Sequence, residues 1–325
     1  MPADLIVGFE GTPAGRDAVA LGRRLALATG ARPTVVYVRS PKPLTTEIPA
    51  VAEDYSWGAS VARTLDEARS LLADLPDARF MAVAETAVAR VLDRVAEEAE
   101  MPLIVLGATH RSGAGRIIPG TTADAVIRHA PCAVAIAPAG YAKSSEARPF
   151  GLVAAAVDGG DETERVARVA ARIAANAEAA LRLITVADGS YADGPLFAGP
   201  AGYATIHDRV RESPSAMLGR AAAAAAASAP VGNIEREVVQ GDVADEVAWH
   251  SHDADLLVIG SRAYGPLRRV VLGSATRAIL RAAVCPVLVV PRGTAEAVDD
   301  AAVRFGAAAL GAVAPGPAAE ERGDA

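Results

Sequence analysis

The chain reads as an α/β protein of the doubly wound kind, with one such domain written twice. Three observations carry this reading. Short β-branched runs alternate with helix-patterned stretches along most of the 325 residues. A segment that starts near residue 102 reappears near residue 255. In both copies a glycine-punctuated loop joins a strand to a helix. Strands that alternate with helices imply a parallel sheet covered by helices on both faces.

The repeat is plainest in Asp255 to Pro291. Leu256 to Ile259 has the continuous apolar pattern of a strand buried on both faces, and it ends at Gly260. Gly265-Pro266 marks a turn, and Gly273-Ser274 opens a helix carrying Ala275, Ala278, Ile279 and Ala282. Val287 to Val290 is the next strand, stopped by Pro291. At an offset of 153, Gly107 falls on Gly260, Gly120 on Gly273, Thr121 on Ser274, Cys132 on Cys285 and Pro138 on Pro291. The earlier parts repeat at an offset of 148: the strand before Glu10 matches the strand before Asp158, and Val35 to Val38 match Leu183 to Val186. The register drifts by five residues (153 − 148), so the middles of the halves differ in length. A period near 150 residues is a duplicated domain rather than a solenoid.

Taken in order, Leu5 to Gly8 is the first strand. A helix follows over about 15–29, closed by Gly30 as a C-cap. Val35 to Val38 is the second strand, and 39–58, with prolines at 41, 43 and 49, reads as a loop. A helix over 60–75 presents Val61, Leu65, Ala68, Leu71 and Leu72 as one stripe. Phe80 to Ala84 is a strand, and Val88, Val91, Leu92 and Val95 mark a helix that ends before Met101-Pro102. The polar run Tyr141 to Pro149 reads as a linker, which places the domains at 1–145 and 146–293. In the second half the expectations are a strand over 152–157, a helix over 162–178, a strand over 181–186 and an irregular stretch over 188–204. A helix holding seven consecutive alanines, 221–227, then presents a close-packing surface. Glu237 to Val239 is the third strand, and Gly241-Asp242 caps the next helix. Residues 294–325 form an acidic tail rich in Ala, Gly and Pro, expected to be mostly disordered.

Composition narrows the function. A 51% hydrophobic content and this length fit two domains with real cores. No charge-free run is long enough to span a bilayer, and no signal-peptide pattern opens the chain. With only two cysteines, a soluble protein in the reducing cytoplasm is expected, without membrane association. The net charge is −7, and the tail carries six acids against two bases. Aromatics are 4% and no basic, aromatic-interleaved patch exists, so nucleic acid is not an expected partner.

The loop spacing carries a resemblance. Gly260, Ala263, Gly273 and Ser274 follow the pattern glycine, two residues, glycine, nine residues, glycine, then serine or threonine, except that alanine holds the second place. Gly107, His110, Gly120 and Thr121 follow it with histidine there. Each half resembles the universal stress protein domain, and the chain resembles a tandem universal stress protein. The resemblance implies five parallel strands per half in the order 3-2-1-4-5, with the ligand at the switch point between strands 1 and 4. It implies adenine nucleotide as ligand: ATP, with Mg²⁺ as its companion ion. In similar proteins the last strand–helix loop cradles the phosphates, an acid after the first strand lies by the nucleoside, and backbone at the end of the second strand meets the base. Carried over, this marks Asp158, Val186, Gly260, Ala263, Gly273, Ser274 and Ala275 in the second half. In the first half it marks Glu10, Val38, Gly107, His110, Gly120, Thr121 and Thr122.

Several alternatives stand beside this. The glycines can serve only as tight strand–helix turns. Arg262, Arg268 and Arg269 can pair phosphate or simply be solvated. His250 and His252, two apart, point to different faces of a helix, and no metal site is expected. Cys132 and Cys285 read as small buried hydrophobes, with a thiol switch as the rival. There is no Walker A sequence, no G-x-S-x-G elbow and no identifiable acid–base pair. The expectation is therefore a non-enzymatic, adenine-nucleotide-binding stress-response sensor, with slow ATP hydrolysis as a side activity only. The rival is a nucleotide-independent protein-interaction module with degenerate sites. Either would act through a protein partner that the sequence does not name. The two halves are expected to pair as an intrachain pseudo-dimer, with a homodimer of chains as a further level.

Overall fold

The computed structural model describes residues 4–39, 50–99, 103–109, 115–144, 149–160, 162–187, 213–261 and 273–291. His110, Ala263, the three arginines at 262, 268 and 269, the 188–204 stretch and the tail all lie outside the described residues.

The first half runs β1 (Asp4–Gly8), α1 (Pro13–Thr29), β2 (Arg32–Arg39), α2 (Ala50–Leu71), β3 (Arg79–Ala84), α3 (Val88–Glu98), β4 (Leu103–Gly107), α4 (Thr121–His129) and β5 (Ala133–Ala137). A four-residue helix, α5 (Tyr141–Ser144), connects it to the second half. That half runs β6 (Leu152–Ala156), α6 (Thr163–Asn176), β7 (Ala180–Ala187), α7 (Pro214–Ser228), β8 (Ile234–Gln240), α8 (Val243–His250), β9 (Leu256–Gly260), α9 (Ser274–Ala282) and β10 (Val287–Val290).

Local chemistry sets the helix ends. Thr12 caps α1 by accepting from the Gly15 N–H at 3.2 Å, with Pro13 in the first turn, and Gly30 ends it at φ 66°. Asp242 caps α8, accepting from the N–H groups of Ala244 and Asp245. Ser213-Pro214 starts α7 in the same way as Thr12-Pro13 starts α1, which places Met217 and Leu218 in its buried first turns. Of the alanine run, Ala221 and Ala225 are fully buried, so the small residues bring α7 close to α6.

Some boundaries differ from the sequence reading. α2 begins at Ala50, inside the stretch expected to be a loop, because its three prolines all lie at or before Pro49 and nothing after them breaks a helix. The helix stops at Leu71 as the chain turns toward Pro76. The expected linker is partly ordered as α5, with Tyr141 buried against the first half.

All ten strands form one sheet in the order β3-β2-β1-β4-β5-β10-β9-β6-β7-β8. Within each half this is the order 3-2-1-4-5, and every pairing there is parallel. Among the described residues the seam is the one antiparallel pair, β5 with β10, where Val287 faces Ile136, Leu288 faces Ala135 and Val289 faces Val134. Ala135 and Leu288 are equivalent positions at the offset of 153, so a pseudo-twofold axis passes between them. The two hydrophobic layers run unbroken across this seam. One holds Leu5, Val7, Val105, Ala135, Val258 and Leu288 beneath α1 and α6; the other holds Ile6, Ile104, Val134, Leu257, Val287 and Val289 beneath α3, α4, α8 and α9. Alternate residues of each strand serve opposite layers, as a doubly covered sheet requires.

A polar cluster links the halves beside the sheet. Arg24 of α1 donates to the Tyr141 hydroxyl at 2.9 Å, to the Pro149 carbonyl at 2.9 Å and to Asp255 Oδ1 at 2.7 Å. Its guanidinium also lies 4.1 Å from the centre of the Phe150 ring. The other Asp255 oxygen accepts from the Gly151 and Leu152 N–H groups. Burial alone would raise the Asp255 pKa; the Arg24 bond and these two backbone donors hold it below the usual carboxylate value.

Candidate functional site

In each half β1 or β6 has the second strand on one side and the fourth on the other, so the connections leave in opposite directions and a crevice opens at the strands' carboxyl ends. Both crevices are substantial, about 570 Å³ in the first half and about 530 Å³ in the second. Volumes of this order suit a cofactor-sized ligand.

The first cleft brings together Glu10, Val38, Gly107, Gly120, Thr121 and Thr122 from the sequence-selected set. Its walls are apolar: Phe9, Val36, Val88, Leu92, Leu106 and Ile118. Glu10 is exposed at the rim, where its carboxylate accepts from the Thr12 hydroxyl at 3.0 Å. Gly120 is the N-cap of α4 and offers no side chain to its free N–H groups. A Cβ on Gly120 would lie 2.9 Å from the Thr109 methyl, so a side chain there would have to displace that methyl, while its φ of −70° is open to any residue. Gly107 is tighter still. A Cβ there would lie 2.6 Å from the Ala14 carbonyl carbon, and closer to its oxygen, in the first turn of α1. Packing alone therefore requires this glycine.

The second cleft brings together Asp158, Val186, Gly260 and Ala275. Gly273 and Ser274 stand beside it, as the N-cap and the exposed first residue of α9. The apolar wall is Ile184, Val186, Val243, Val247, Ile259 and Ile279. Asp158 makes an Asx turn, its Oδ1 accepting from the Gly160 N–H at 3.1 Å, and Gly159 between them has φ 78°. Gly11 holds the same place in the first half at φ 74°. Met217 closes over Gly159, and Thr185 donates to its sulfur at 3.3 Å. The Thr276 hydroxyl donates to the Gly260 carbonyl at 3.3 Å and ties the first turn of α9 to the end of β9. Among the described residues, a Cβ on Gly260 would meet two side chains, Glu162 Oε2 at 3.3 Å and Val166 at 3.5 Å.

Glu162 is the residue that motif reasoning missed. It is the equivalent of Ala14 at the offset of 148, and its nearly buried carboxylate lines the second cleft beside Gly260. Arg165 lies 3.9 Å from it and donates to the Pro291 carbonyl. A comparison of the two halves position by position would have shown an acid in place of alanine; a search for the family's motif could not. Among the described lining residues the second cleft carries two acids, Asp158 and Glu162, and the first carries one, Glu10. The free N–H groups at the start of α9 supply the opposite polarity.

The cysteines are settled by burial. Both are free and buried; desolvation pushes the Cys285 thiol up to about 12 and the Cys132 thiol higher still. Neither is poised as a thiolate, so the thiol-switch reading is withdrawn in favour of packing.

The sequence profile described as the Universal stress protein family matches residues 1–138 and, a second time, residues 150–291. The chain belongs to the universal stress protein family. Its relatives include a universal stress protein of Mycobacterium tuberculosis and one of Mycobacterium bovis, each 26% identical over 301 residues, a match that covers 88% of this chain and 99% of theirs. Among solved structures, a universal stress protein from Archaeoglobus fulgidus has a TM-score of 0.60 at 15% identity, covering 90% of this chain and 98% of its own. A Pseudomonas aeruginosa protein of unknown function has a TM-score of 0.53 at 16% identity, covering 95% of this chain and 98% of its own. These whole-chain likenesses show that the tandem arrangement is a shared fold, with two universal stress protein domains in one chain.

Proposed function

We propose that this stress-response family member binds an adenine nucleotide in its second half, as a sensor and not as an enzyme. The observation that carries the reading is the second cleft: an apolar slot for a flat base, an acid after the first strand, and the open N-terminus of α9 at its far side. The slot between Ile184, Val186 and Val247 suits adenine, and Asp158 suits a ribose hydroxyl. Phosphates would meet the N–H groups at the start of α9, where the helix dipole favours anions. Glu162 and Asp158 would repel a bare triphosphate, so the reading includes Mg²⁺ to bridge carboxylate and phosphate.

The first cleft supports the rival reading. Gly107 is accounted for by its contact with Ala14, and the walls are almost wholly apolar. That half serves as a structural and partner-facing module.

Calorimetric titration of nucleotide-stripped protein with ATP and Mg²⁺ tests both statements. One saturable site per chain, lost in Ser274→Ala and strengthened in Ala263→Gly, is the expected result. Absence of binding at millimolar ATP overturns the nucleotide reading, and two sites per chain overturn the assignment of the first cleft.

A further inference from the structure

A further groove lies away from both clefts, between α6 and α7. The groove is about 420 Å³. Glu164, Arg168 and Arg172 follow one another along α6 at intervals of four, so they form one stripe facing Arg220 and the methyls of Ala223, Ala224 and Ala227 on α7. Three guanidiniums and one carboxylate therefore share one concavity.

The carboxylate is taken. Glu164 accepts from Arg168 at 2.7 Å through one oxygen and from Arg220 at 3.4 Å through the other. Arg172 is left over. Its side chain lines the groove, but as it lies its Nε and Nη1 are turned away from solvent and have no hydrogen-bond partner, so an anion in the groove reaches them only as the guanidinium turns outward. Burial, and then the neighbouring Arg168 charge, push its pKa down, the direction expected of a cation short of an anion. Buried guanidinium donors without acceptors are uncommon, because the group forfeits its hydration for nothing in return.

The duplication shows what is missing. Arg172 is the equivalent of Arg24 at the offset of 148. Arg24 has Asp255, the Tyr141 hydroxyl and the Pro149 carbonyl. The sequence equivalent of Asp255, at the offset of 153, is Pro102. The arginine is present in both halves and its carboxylate in only one.

We propose that the α6–α7 groove of the second half is an anion site for a phosphate-type dianion, held by Arg172 with Arg168 and Arg220. The guanidinium fork matches two phosphate oxygens, and a dianion offsets the excess positive charge in the groove. The alanine methyls leave room beside the guanidiniums, and Ser228, also in the lining, turns its hydroxyl to donate to the Ala225 carbonyl.

The test is calorimetric titration of the full chain with inorganic phosphate at constant ionic strength, repeated on two variants. Arg172→Met removes the unpartnered donors and is expected to weaken phosphate binding by about tenfold or more while raising the unfolding temperature of the anion-free protein. Ala224→Glu leaves Arg172 in place and supplies an internal carboxylate; it is expected to abolish phosphate binding with the circular dichroism spectrum unchanged. Absence of saturable phosphate binding by the wild type overturns the proposal. So does binding that survives in both groove variants and is removed instead by Ser274→Ala, which would place the anion at α9.

Discussion

The two halves share strand order, seam and cleft position, yet differ at the residues that decide what each cleft can hold. In the first half Ala14 presses its carbonyl against Gly107, so the helix start and the strand end are locked by backbone. In the second, Glu162 stands at the same place with a long side chain, and among the described residues a Cβ on Gly260 would meet side chains and not backbone. The same glycine is thus held differently in the two halves: in one two backbones touch, in the other a side chain can yield.

Substitution at the paired glycines breaks this comparison most forcefully. Gly107→Ala sets a methyl against backbone that cannot rotate away, and a loss of about 3 kcal/mol or more in urea unfolding is expected. Gly260→Ala should cost about 1 kcal/mol or less, since a side-chain carboxylate can yield. Equal losses would show that Gly260 is also held by packing. Next comes the asymmetry of Arg24 and Arg172. Asp255→Ala leaves Arg24 without its carboxylate at a site where both side chains are under 15% exposed, and about 3 kcal/mol should be lost. The acid dependence follows in sign. The Asp255 pKa is depressed in the folded chain, so its contribution is present in full above the unfolded value of about 3.9 and is lost as pH falls through the lower folded value. Acid unfolding monitored by circular dichroism should therefore be less steep in Asp255→Asn than in the wild type. The smallest effect separates Gly30 from its equivalent, Glu178. Both sit after the first helix of their half in the left-handed region, at φ 66° and φ 54°. Glutamate is strained there and glycine is not, so Glu178→Gly should stabilise by about 1 kcal/mol, read as a rise in unfolding temperature. A fall would place the control of that turn in side-chain contacts instead.

The elements that show most clearly in the sequence are those with a local cause. Strands β4 and β9 are continuous apolar runs, Gly30 and Asp242 mark helix ends by their own chemistry, and the duplication doubles each signal. The start of α2 was hidden because a proline cluster beside a helix resembles a loop that never ends. Tyr141 sat in a polar run, and only its distant hydrogen bond to Arg24 explains its burial. In the clefts, Gly260 is legible from the glycine spacing and Asp158 from the family resemblance, whereas Glu162 belongs to no motif and becomes visible through its place as the equivalent of Ala14. Arg172 was invisible for the same reason as Tyr141: its meaning lies in what stands across from it, and a linear reading does not contain that.

The antiparallel seam has a geometric result. Since β5 and β10 run in opposite directions while all other neighbours are parallel, the carboxyl ends of the two sets of five strands point toward opposite edges of the slab. The two mouths thus open away from each other, like the ends of a double-ended wrench. A small molecule seated in one does not reach the other. What joins them is the continuous sheet, the two hydrophobic layers that cross the seam and the Arg24–Asp255 contact beside it.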